Sequence, residues 1–394
     1  MTGTMQAVRD LVDALHHARP EDLPTVASRV ARALGAHDIE LYLVDYGQLE
    51  LLPLPRETGG LGDPVRIDGT LAGRAYTTGE PVRIGDDNGD ERIWMPVISG
   101  ADRLGVLAAH LGPGPDLDHE LRILAAAFAG IVATRRTYGD ALERTRRRLP
   151  MQLAAEIIWN QLPPLTFATP DAAVAAVLEP CYDVGGDAFD YAINESVLHV
   201  AVFDAVGHGI AASALTSLAI SAYRNARRCG LDLADTYRSV DKWVHAQYPA
   251  DYVTAVLGEL DVTTGVYRKI SAGHPEELLL RGGRLVRTLT APTALPLGLG
   301  YLGDPTPVVV DEHLEPGDAL LLYTDGVVEA RIDGGEQFGV ERLVDCVTRA
   351  LADQLHPAET MRRLVRTLLT RQQDQLQDDA TALLLSWTPR GDRA

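Results

Sequence analysis

The spacing of apolar residues changes along this chain, and the changes mark its parts. Near the start, QAVRDLVDALHHA has the spacing of an amphipathic helix, and DIELYLVDY alternates as a half-buried strand does. Two further apolar runs, RIWMPVIS and RLGVLAAHL, are separated by the turn GAD. The pattern predicts a small α/β domain over residues 1–116 that contains a β-hairpin.

A stripe of apolar residues at helical spacing follows. Its members are Leu117, Leu121, Leu124, Phe128, Ile131, Tyr138 and Leu142. Two interpretations fit: a helix packed on its own domain, and a parallel dimeric coiled coil. The second is favoured because the later half, RRTYGDALERTRRR, is too charged for a core. Pro150 should kink or end the helix, and the helical stretch MQLAAEIIWNQL follows. We therefore predict a helical linker over residues 117–162 and a homodimer.

Residues 163–394 have the pattern of an antiparallel β-rich domain with long helices. Strands are predicted at VLHVAVFD, GDALLLYTD and DDATALLLSW, and hairpins about the turns VTTG and GG. Helices are predicted at GIAASALTSLAISAYRNARR and GVERLVDCVTRAL. Because strands and helices are grouped and do not alternate, this domain is expected to have a layered α+β fold.

Composition narrows the classes of partner. The formal net charge of −19 argues against broad contact with nucleic acid or with an anionic membrane. Three cysteines at wide spacings offer no zinc-binding pair and suit a reducing cytoplasm. The longest small apolar stretch, LAAAFAGIVA, is half of the roughly 20 residues that cross a bilayer. We expect a cytoplasmic protein that acts on a protein, a small molecule or a cation.

Carboxylates stand at strand ends or glycine turns in four places of the third region. They are Asp187 and Asp190 in DVGGDAFD, Asp204 in VAVFDAVGHG, Asp325 in LLLYTDG, and Asp378 and Asp379 in LQDDATALLL. One such Asp is an ordinary turn residue. Four such places predict that carboxylates converge at one rim, where they repel each other and need cations to neutralise them.

The type of ligand favours particular metals. Carboxylate, carbonyl and water oxygens suit Mg²⁺ or Mn²⁺, and the lack of a Cys or His cluster argues against zinc. Three or four carboxylates exceed what one Mg²⁺ usually takes from a protein, which favours two ions. A pair of ions about 3.5–4 Å apart activates water for hydrolysis of a phosphate ester.

Seven motifs then resemble one family in order and spacing. They are DVGGDAFD, FDAVGHGIAA, YVTAVLGELDVTTG, SAGHPEELLL, LPLGLG, LEPGDALLLYTDGVVEA and DDATALLL. Over about residues 169–387 the chain resembles the metal-dependent protein phosphatase (PPM) family, and most closely its bacterial SpoIIE/RsbU-type branch. The resemblance implies an αββα sandwich, two antiparallel sheets flanked by helices, with two Mn²⁺ or Mg²⁺ ions at one end.

The resemblance also implies roles for single residues. Asp204 matches the carboxylate that bridges both metals, and Ala205 matches the residue whose backbone carbonyl binds one of them. Asp187 resembles the carboxylate that orients the attacking water or binds the second metal. Val206 stands where the branch commonly has Ser, and no Arg matches the one that holds phosphate in the eukaryotic branch.

Further site residues follow the same way. Asp325 and Asp378 match the remaining direct metal ligands, and Asp379 is the alternative to Asp378. His208, beside the metal-binding Asp, is either a proton donor to the leaving group or a residue that packs the helix entry, and the second is favoured. His274 in AGHP is expected to be structural. With no Ser-His-Asp or Cys-His set, water is the predicted nucleophile.

The front region resembles a GAF domain over about residues 5–115, in IDGTLAGRAYTTGEPVRIGD and the hairpin that follows. Such a domain either holds a small ligand or serves in dimerisation. A thioether-linked bilin is excluded because all three cysteines lie beyond this region. Its histidines are scattered and are read as surface groups: His16, His17, His37 and His110.

The resemblance implies a serine/threonine phosphatase regulated by its front domain. The branch points to a phosphoserine or phosphothreonine on a STAS-type anti-sigma-factor antagonist as the substrate. Two alternatives stay open. A catalytically silent adaptor would be expected to have lost a carboxylate, and here every position is filled. A small-molecule phosphohydrolase would share the chemistry, and the sequence does not distinguish it.

Overall fold

The computed structural model describes residues 18–55, 62–85, 90–112, 116–135, 139–303, 307–331, 336–371 and 378–389. The chain divides into two compact units, Met1–Pro150 and Met151–Ala394. Most of the helix expected at QAVRDLVDALHHA lies outside the described residues, as do His16, His17 and Tyr138. No helix in the described part is long and apolar enough to span a bilayer.

The described part of the first unit is a six-stranded sheet with helices on both faces. Its strands are β1 (Ala36–Val44), β2 (Glu50–Pro53), β3 (Val65–Arg66), β4 (Val82–Gly85), β5 (Glu91–Ser99) and β6 (Asp102–Leu111). Its helices are α1 (Leu23–Leu34), α2 (Leu71–Thr78), α3 (Asp118–Arg135) and α4 (Ala141–Arg146), after a 3-10 turn at Pro20–Asp22. The strand order is β3-β2-β1-β6-β5-β4. The predicted hairpin is confirmed, since β5 pairs antiparallel with β6 from Ser99 and Asp102 onward.

The apolar stripe on α3 lies in the core of the first unit. Leu121, Leu124 and Phe128 are at most 1% exposed and pack with α1 and the sheet. The coiled-coil interpretation is therefore wrong for this helix, because a stripe buried in its own unit is not available to a second chain. The helix ends at Arg135, and the next begins only at Ala141. The homodimer stays a prediction that this helix does not support.

The second unit, in its described part, contains eleven strands and six α-helices. The strands are β7 (Thr166–Ala168), β8 (Ala172–Glu179), β9 (Asp187–Asn194), β10 (Val197–Ala205), β11 (Val253–Asp261), β12 (Val266–Ala272), β13 (Glu277–Arg281), β14 (Arg284–Leu289), β15 (Val310–His313), β16 (Asp318–Tyr323) and β17 (Ala380–Trp387). The helices are α5 (Leu153–Trp159), α6 (Gly209–Arg228), α7 (Leu233–Gln247), α8 (Asp325–Glu329), α9 (Gly339–Ala352) and α10 (Pro357–Arg371), with a 3-10 turn at Gly300–Leu302.

These strands form two antiparallel sheets that pack face to face. Sheet I has the order β15-β12-β11-β10-β9, and sheet II has the order β14-β13-β16-β17-β8-β7. Between them lies an apolar core that includes Val200, Val202, Leu320 and Leu383. Helices α5, α6 and α7 cover the outer face of sheet I, and α9 and α10 cover that of sheet II. The αββα order expected for this part of the chain is confirmed.

Both faces of each central strand are buried, which explains their nearly continuous apolar sequences. In β10, Val200 and Val202 face sheet II, whereas Ala201 and Phe203 face the helices. Because side chains alternate along a strand, the residue two positions after Val202 returns to the face between the sheets. That residue is Asp204, so a carboxylate stands at the end of the inter-sheet core.

Candidate metal centre

Strand alternation places two carboxylates of sheet I side by side at one end of the inter-sheet core. Asp187 begins β9 two residues before the core residue Phe189, and Asp204 ends β10 two residues after Val202. The two Asp residues are direct partners in the antiparallel register. Ordinary strand pairing therefore brings the first Asp of DAFD and the Asp of AVFDA to one place.

Hydrogen bonds hold these two carboxylates from neighbouring strands. The Thr254 hydroxyl, on the strand paired with β10, lies 3.4 Å from Oδ2 of Asp204 and donates to it. The Thr324 hydroxyl of sheet II donates to Oδ2 of Asp187 at 2.6 Å. In turn, the Thr381 N–H donates to the Thr324 oxygen at 2.9 Å. The Asp187 carboxylate is thus held by a hydrogen bond from the side of sheet II.

Asp325 reaches the same end from sheet II. It begins the short helix α8 directly after β16 and Thr324. The turn there is tight: a Cβ on Gly326 would lie 1.8 Å from the carbonyl oxygen of Asp379. Only glycine fits this approach, so the Asp-Gly pair is both a turn and the end of a rigid strand that carries a carboxylate to the rim.

The paired acids before β17 differ from each other. Asp378 is exposed, and its Oδ1 accepts the N–H of Asp379 at 2.9 Å. Asp379 is half-buried, and its Oδ2 accepts the backbone N–H groups of Gly185, Gly186 and Asp187. The structure therefore brings both residues to the site end, with one exposed and the other engaged by backbone.

The carboxylates raise one another's pKa. Burial, followed by repulsion from Asp325 and Asp378, raises the pKa of Asp204 to about 7. Burial, followed by repulsion from Asp204 and Asp379, raises the pKa of Asp187 well above its ordinary value. Burial, then repulsion from Glu329 and Asp378, raises the pKa of Asp325. Ionisation of these carboxyl groups is unfavourable, because they are both desolvated and close together.

No Lys or Arg of the described residues forms an ion pair with any of these acids, although other buried carboxylates have one. A cluster of carboxylates without a cation partner fits hard divalent cations such as Mg²⁺ and Mn²⁺. Ala205, whose carbonyl lies against Gly186, ends β10 beside them. In the described part of the chain, no three acidic, His or Cys side chains are already gathered closely enough to enclose an ion.

Asp190 does not belong to this cluster. It lies three positions after Asp187, so it points to the opposite face of β9, toward α6. There it is buried and pairs with Arg224 at 2.6 Å and Arg227 at 3.0 Å. The sequence placed it with the converging acids, but strand alternation assigns it to a buried ion-pair network.

The two histidines near the site differ in burial. His208 is exposed at the N-cap position of α6 and makes no capping hydrogen bond. His274 is buried, and burial lowers its pKa to about 4. Its Nδ1 lies 3.0 Å from the Thr254 hydroxyl. The imidazole is therefore neutral at pH 7 and supports a residue that hydrogen-bonds Asp204, which agrees with the structural interpretation.

Sequence reasoning missed the supporting threonines. Thr254 and Thr381 lie on strands, and Thr324 directly follows one, at positions that strand alternation places on the side of the inter-sheet core. They occur in the runs YVTAV, DDATALLL and LLLYTDG. The sequence could have indicated them, because each is a polar residue at the end of an apolar run, at a position that strand alternation places on the same face as the core residues. Read with the neighbouring Asp residues, this pattern points to hydrogen bonds between threonine hydroxyls and carboxylates.

Comparisons with known proteins agree with this architecture. Residues 194–388 match the family model for Stage II sporulation protein E (SpoIIE). The matched range contains Asp204, Asp325 and Asp378 and begins after Asp187.

Similar curated proteins include two from Bacillus subtilis (strain 168). The chain is 24% identical over 215 residues to the phosphoserine phosphatase RsbU, which covers 54% of this chain and 62% of that protein. It is 26% identical over 157 residues to the phosphoserine phosphatase RsbP, which covers 37% of each.

A crystal structure of the RsbU and RsbW domains of a Mycobacterium tuberculosis protein is similar in fold. It shares 29% identity at a TM-score of 0.50 over 58% of this chain and 63% of that one. In each of these comparisons, less than two thirds of the relative's own length is matched.

Proposed function

We propose that this chain, whose residues 194–388 match the SpoIIE family model, is a metal-dependent serine/threonine protein phosphatase. The observation that supports the proposal most directly is the convergence of Asp187, Asp204, Asp325 and Asp378 without a cationic side chain among the described residues. The relatives described as phosphoserine phosphatases support the same reaction class.

The proposed cofactors are two Mn²⁺ or Mg²⁺ ions. Such ions, when bound, supply charge neutralisation and Lewis-acid activation for the attack of water on phosphorus. Asp204 and the Ala205 carbonyl would hold them from sheet I, and Asp325 and Asp378 would hold them from the rim of sheet II. Asp187, fixed by the Thr324 hydroxyl, would orient the water or hold the second ion. Water adds to phosphorus, and the serine or threonine oxygen leaves with a proton.

The proposed substrate is a phosphoserine or phosphothreonine on a STAS-type anti-sigma-factor antagonist. The similarity to RsbU and RsbP, which are both described as phosphoserine phosphatases, supports a phosphoserine substrate. The STAS-type target is proposed from the branch that the sequence motifs resemble. A cytoplasmic location, a homodimer and a small ligand for the first unit belong to the same proposal.

Regulation by the first unit is also proposed, through helix α5 at the start of the second unit. Ala155 and Ile158 of α5 pack in the same core as α6. Helix α6 begins at Gly209, whose backbone nitrogen would lie 2.5 Å from a Cβ on Gly185. Movement of α5 is therefore transmitted to the loop before Asp187 through a single intervening helix, α6. Equal rates with and without residues 1–148, and no response of either form to a partner, would contradict this route.

The activity is tested by phosphate release from matched phosphopeptides by the full chain with Mn²⁺. We expect release from phosphoserine and phosphothreonine peptides, little from a phosphotyrosine peptide, and loss in Asp204→Asn and Asp325→Asn. Asp235→Asn, at an exposed position on α7, serves as the control and should retain activity. Release from small phosphomonoesters but from no phosphoprotein would favour the small-molecule hydrolase, and no release from any substrate would favour the silent adaptor.

A further inference from the structure

One carboxylate oxygen at the site end is already engaged by three consecutive backbone amides. Oδ2 of Asp379 accepts the N–H of Gly185 at 2.9 Å, of Gly186 at 2.6 Å and of Asp187 at 3.2 Å. Successive amides that converge on one oxygen form a concave anion-binding nest. The bonds join the start of β17 in sheet II to the loop that enters β9 in sheet I.

The same loop is packed closely on its other sides. The carbonyl of Gly186 accepts the Thr216 hydroxyl of α6 and the N–H of Ala205, the latter at 3.2 Å. A Cβ on Gly186 would lie 2.8 Å from the Ala205 carbonyl oxygen. Residues 185–187 are therefore held by α6 and β10 within sheet I, and by Asp379 from sheet II. Both Asp187 and the Ala205 carbonyl depend on where this loop lies.

Asp378 has no comparable engagement. It is exposed, and its Oδ1 accepts the N–H of the next residue at 2.9 Å. Asp379 is half-buried with an oxygen already coordinated by N–H groups. The neighbouring acids are chemically identical, so the difference between them comes from the strand alternation and the loop that Asp379 meets.

We propose that Asp379 is a positioning residue and not a metal ligand: it fixes the 185–187 loop, and through it Asp187 and the Ala205 carbonyl, against the ligands of sheet II. The metal part of this statement rests on the proposed function. The backbone part stands on the hydrogen bonds alone. Asp378 is then the acid of this pair that binds a cation.

An asparagine substitution separates the two roles. Asp379→Asn keeps a side-chain oxygen that accepts backbone N–H groups but removes the negative charge. Asp378→Asn makes the same chemical change at the adjacent position. On Mn²⁺ titration calorimetry of the full chain, we expect Asp379→Asn to stay within about threefold of the wild-type Kd and Asp378→Asn to weaken binding at least about tenfold. Equal weakening by both variants would overturn the proposal.

Amide hydrogen exchange supplies a readout that needs no metal. In EDTA, Asp379→Ala should exchange at least about tenfold faster across residues 183–190, while Asp379→Asn and Asp378→Asn stay close to wild type. Unchanged exchange in Asp379→Ala would overturn the proposal. If that variant does not fold, Asp379→Ser takes its place, because its shorter side chain cannot reach the three amides, and unchanged exchange in Asp379→Ser is then the contradicting result. If the chain binds no Mn²⁺, the proposed function fails, and exchange still decides whether Asp379 holds the loop.

Discussion

Thr324 donates its hydroxyl hydrogen to Oδ2 of Asp187 across 2.6 Å, although the two residues are 137 positions apart. Asp187 begins a strand of sheet I, and Thr324 directly follows a strand of sheet II. This bond crosses the inter-sheet core at the end where the other carboxylates gather. Asp187 is 2% exposed, so a neutral hydroxyl is one of few groups that can stabilise its charge. The site is therefore built from both sheets, and its electrostatics depend on uncharged donors.

Replacing Thr324 with Val removes that donor and keeps the side-chain shape. The ionised form of Asp187 then loses a hydrogen bond worth about 1–2 kcal/mol, so Mn²⁺ affinity should fall about tenfold. Titration calorimetry of Thr324→Val and Thr324→Ser measures this. The Ser variant keeps the hydroxyl and should bind as wild type does. Similar affinity in the Val and Ser variants would show that the hydrogen bond has no role in binding.

Asp204→Asn should stabilise the metal-free protein while abolishing its response to metal. Asp204 is desolvated and repelled by Asp325 and Asp378, so its neutral replacement should raise the free energy of unfolding by about 1–3 kcal/mol near pH 8. Scanning calorimetry of the full chain measures this in EDTA and in Mn²⁺. Wild type should gain about 2.7 kcal/mol at a hundredfold excess of Mn²⁺ over Kd, and the variant should gain almost nothing. A variant less stable than wild type in EDTA would contradict the repulsion argument.

Stability without metal should fall as pH rises. Asp204 ionises near pH 3.8 in an unfolded chain and at about 7 in the folded one. Between these values the folded state holds the extra proton, so stability is greatest below 3.8, is lost as pH approaches 7, and is level above it. Burial shifts the pKa of Asp187 in the same direction.

The loss should be on the order of 2–4 kcal/mol between about pH 5 and about pH 8 in EDTA. Saturating Mn²⁺ should flatten the profile, because a cation favours the ionised form. Calorimetric melting across this range tests it, with Asp204→Asn as the control that should show a shallower slope. Stability that rises with pH in EDTA would contradict the account.

Asp190→Asn should lower the stability of the folded protein and leave its Mn²⁺ affinity nearly unchanged. Removing the charge leaves Arg224 and Arg227 without their buried partner, which costs about 3 kcal/mol or more. Melting should occur at a lower temperature, while Mn²⁺ affinity of the folded protein stays within about twofold. A tenfold weaker affinity at unchanged stability would place Asp190 in the site after all.

Much of the secondary structure of the second unit was predicted from the periodicity of its apolar residues. The hairpins β11–β12 and β13–β14, helices α6 and α9, and the three Asp-bearing strand ends were predicted because their apolar runs and turn residues agree. Strand β8 was not predicted, since AAVAAVLE is rich in Ala, a strong helix former. It forms a strand because it pairs with β17, and its small side chains let α10 pack closely on that sheet.

The failures came from properties that depend on three dimensions. The charged end of the 117–149 stretch appeared too polar for a core, yet Arg146 is buried. Its guanidinium stacks 4.5 Å from the Tyr46 ring centre and donates to the Val44 carbonyl at 3.1 Å. Likewise, Asp378 and Asp379 differ only through the loop that meets one of them. The partners of Arg146 and the loop that contacts Asp379 are all distant from them in sequence.

The central claim is that carboxylates from both sheets hold divalent cations that drive phosphoester hydrolysis. Its most direct test is the rate of aryl phosphate hydrolysis by the full chain in Mn²⁺ and in EDTA, for wild type, Asp204→Asn and Asp325→Asn. The account predicts hydrolysis by wild type in Mn²⁺, its loss in EDTA, its recovery when Mn²⁺ is restored, and rates at least about a hundredfold lower in both variants. Hydrolysis that survives chelation, or that survives both substitutions, would contradict it.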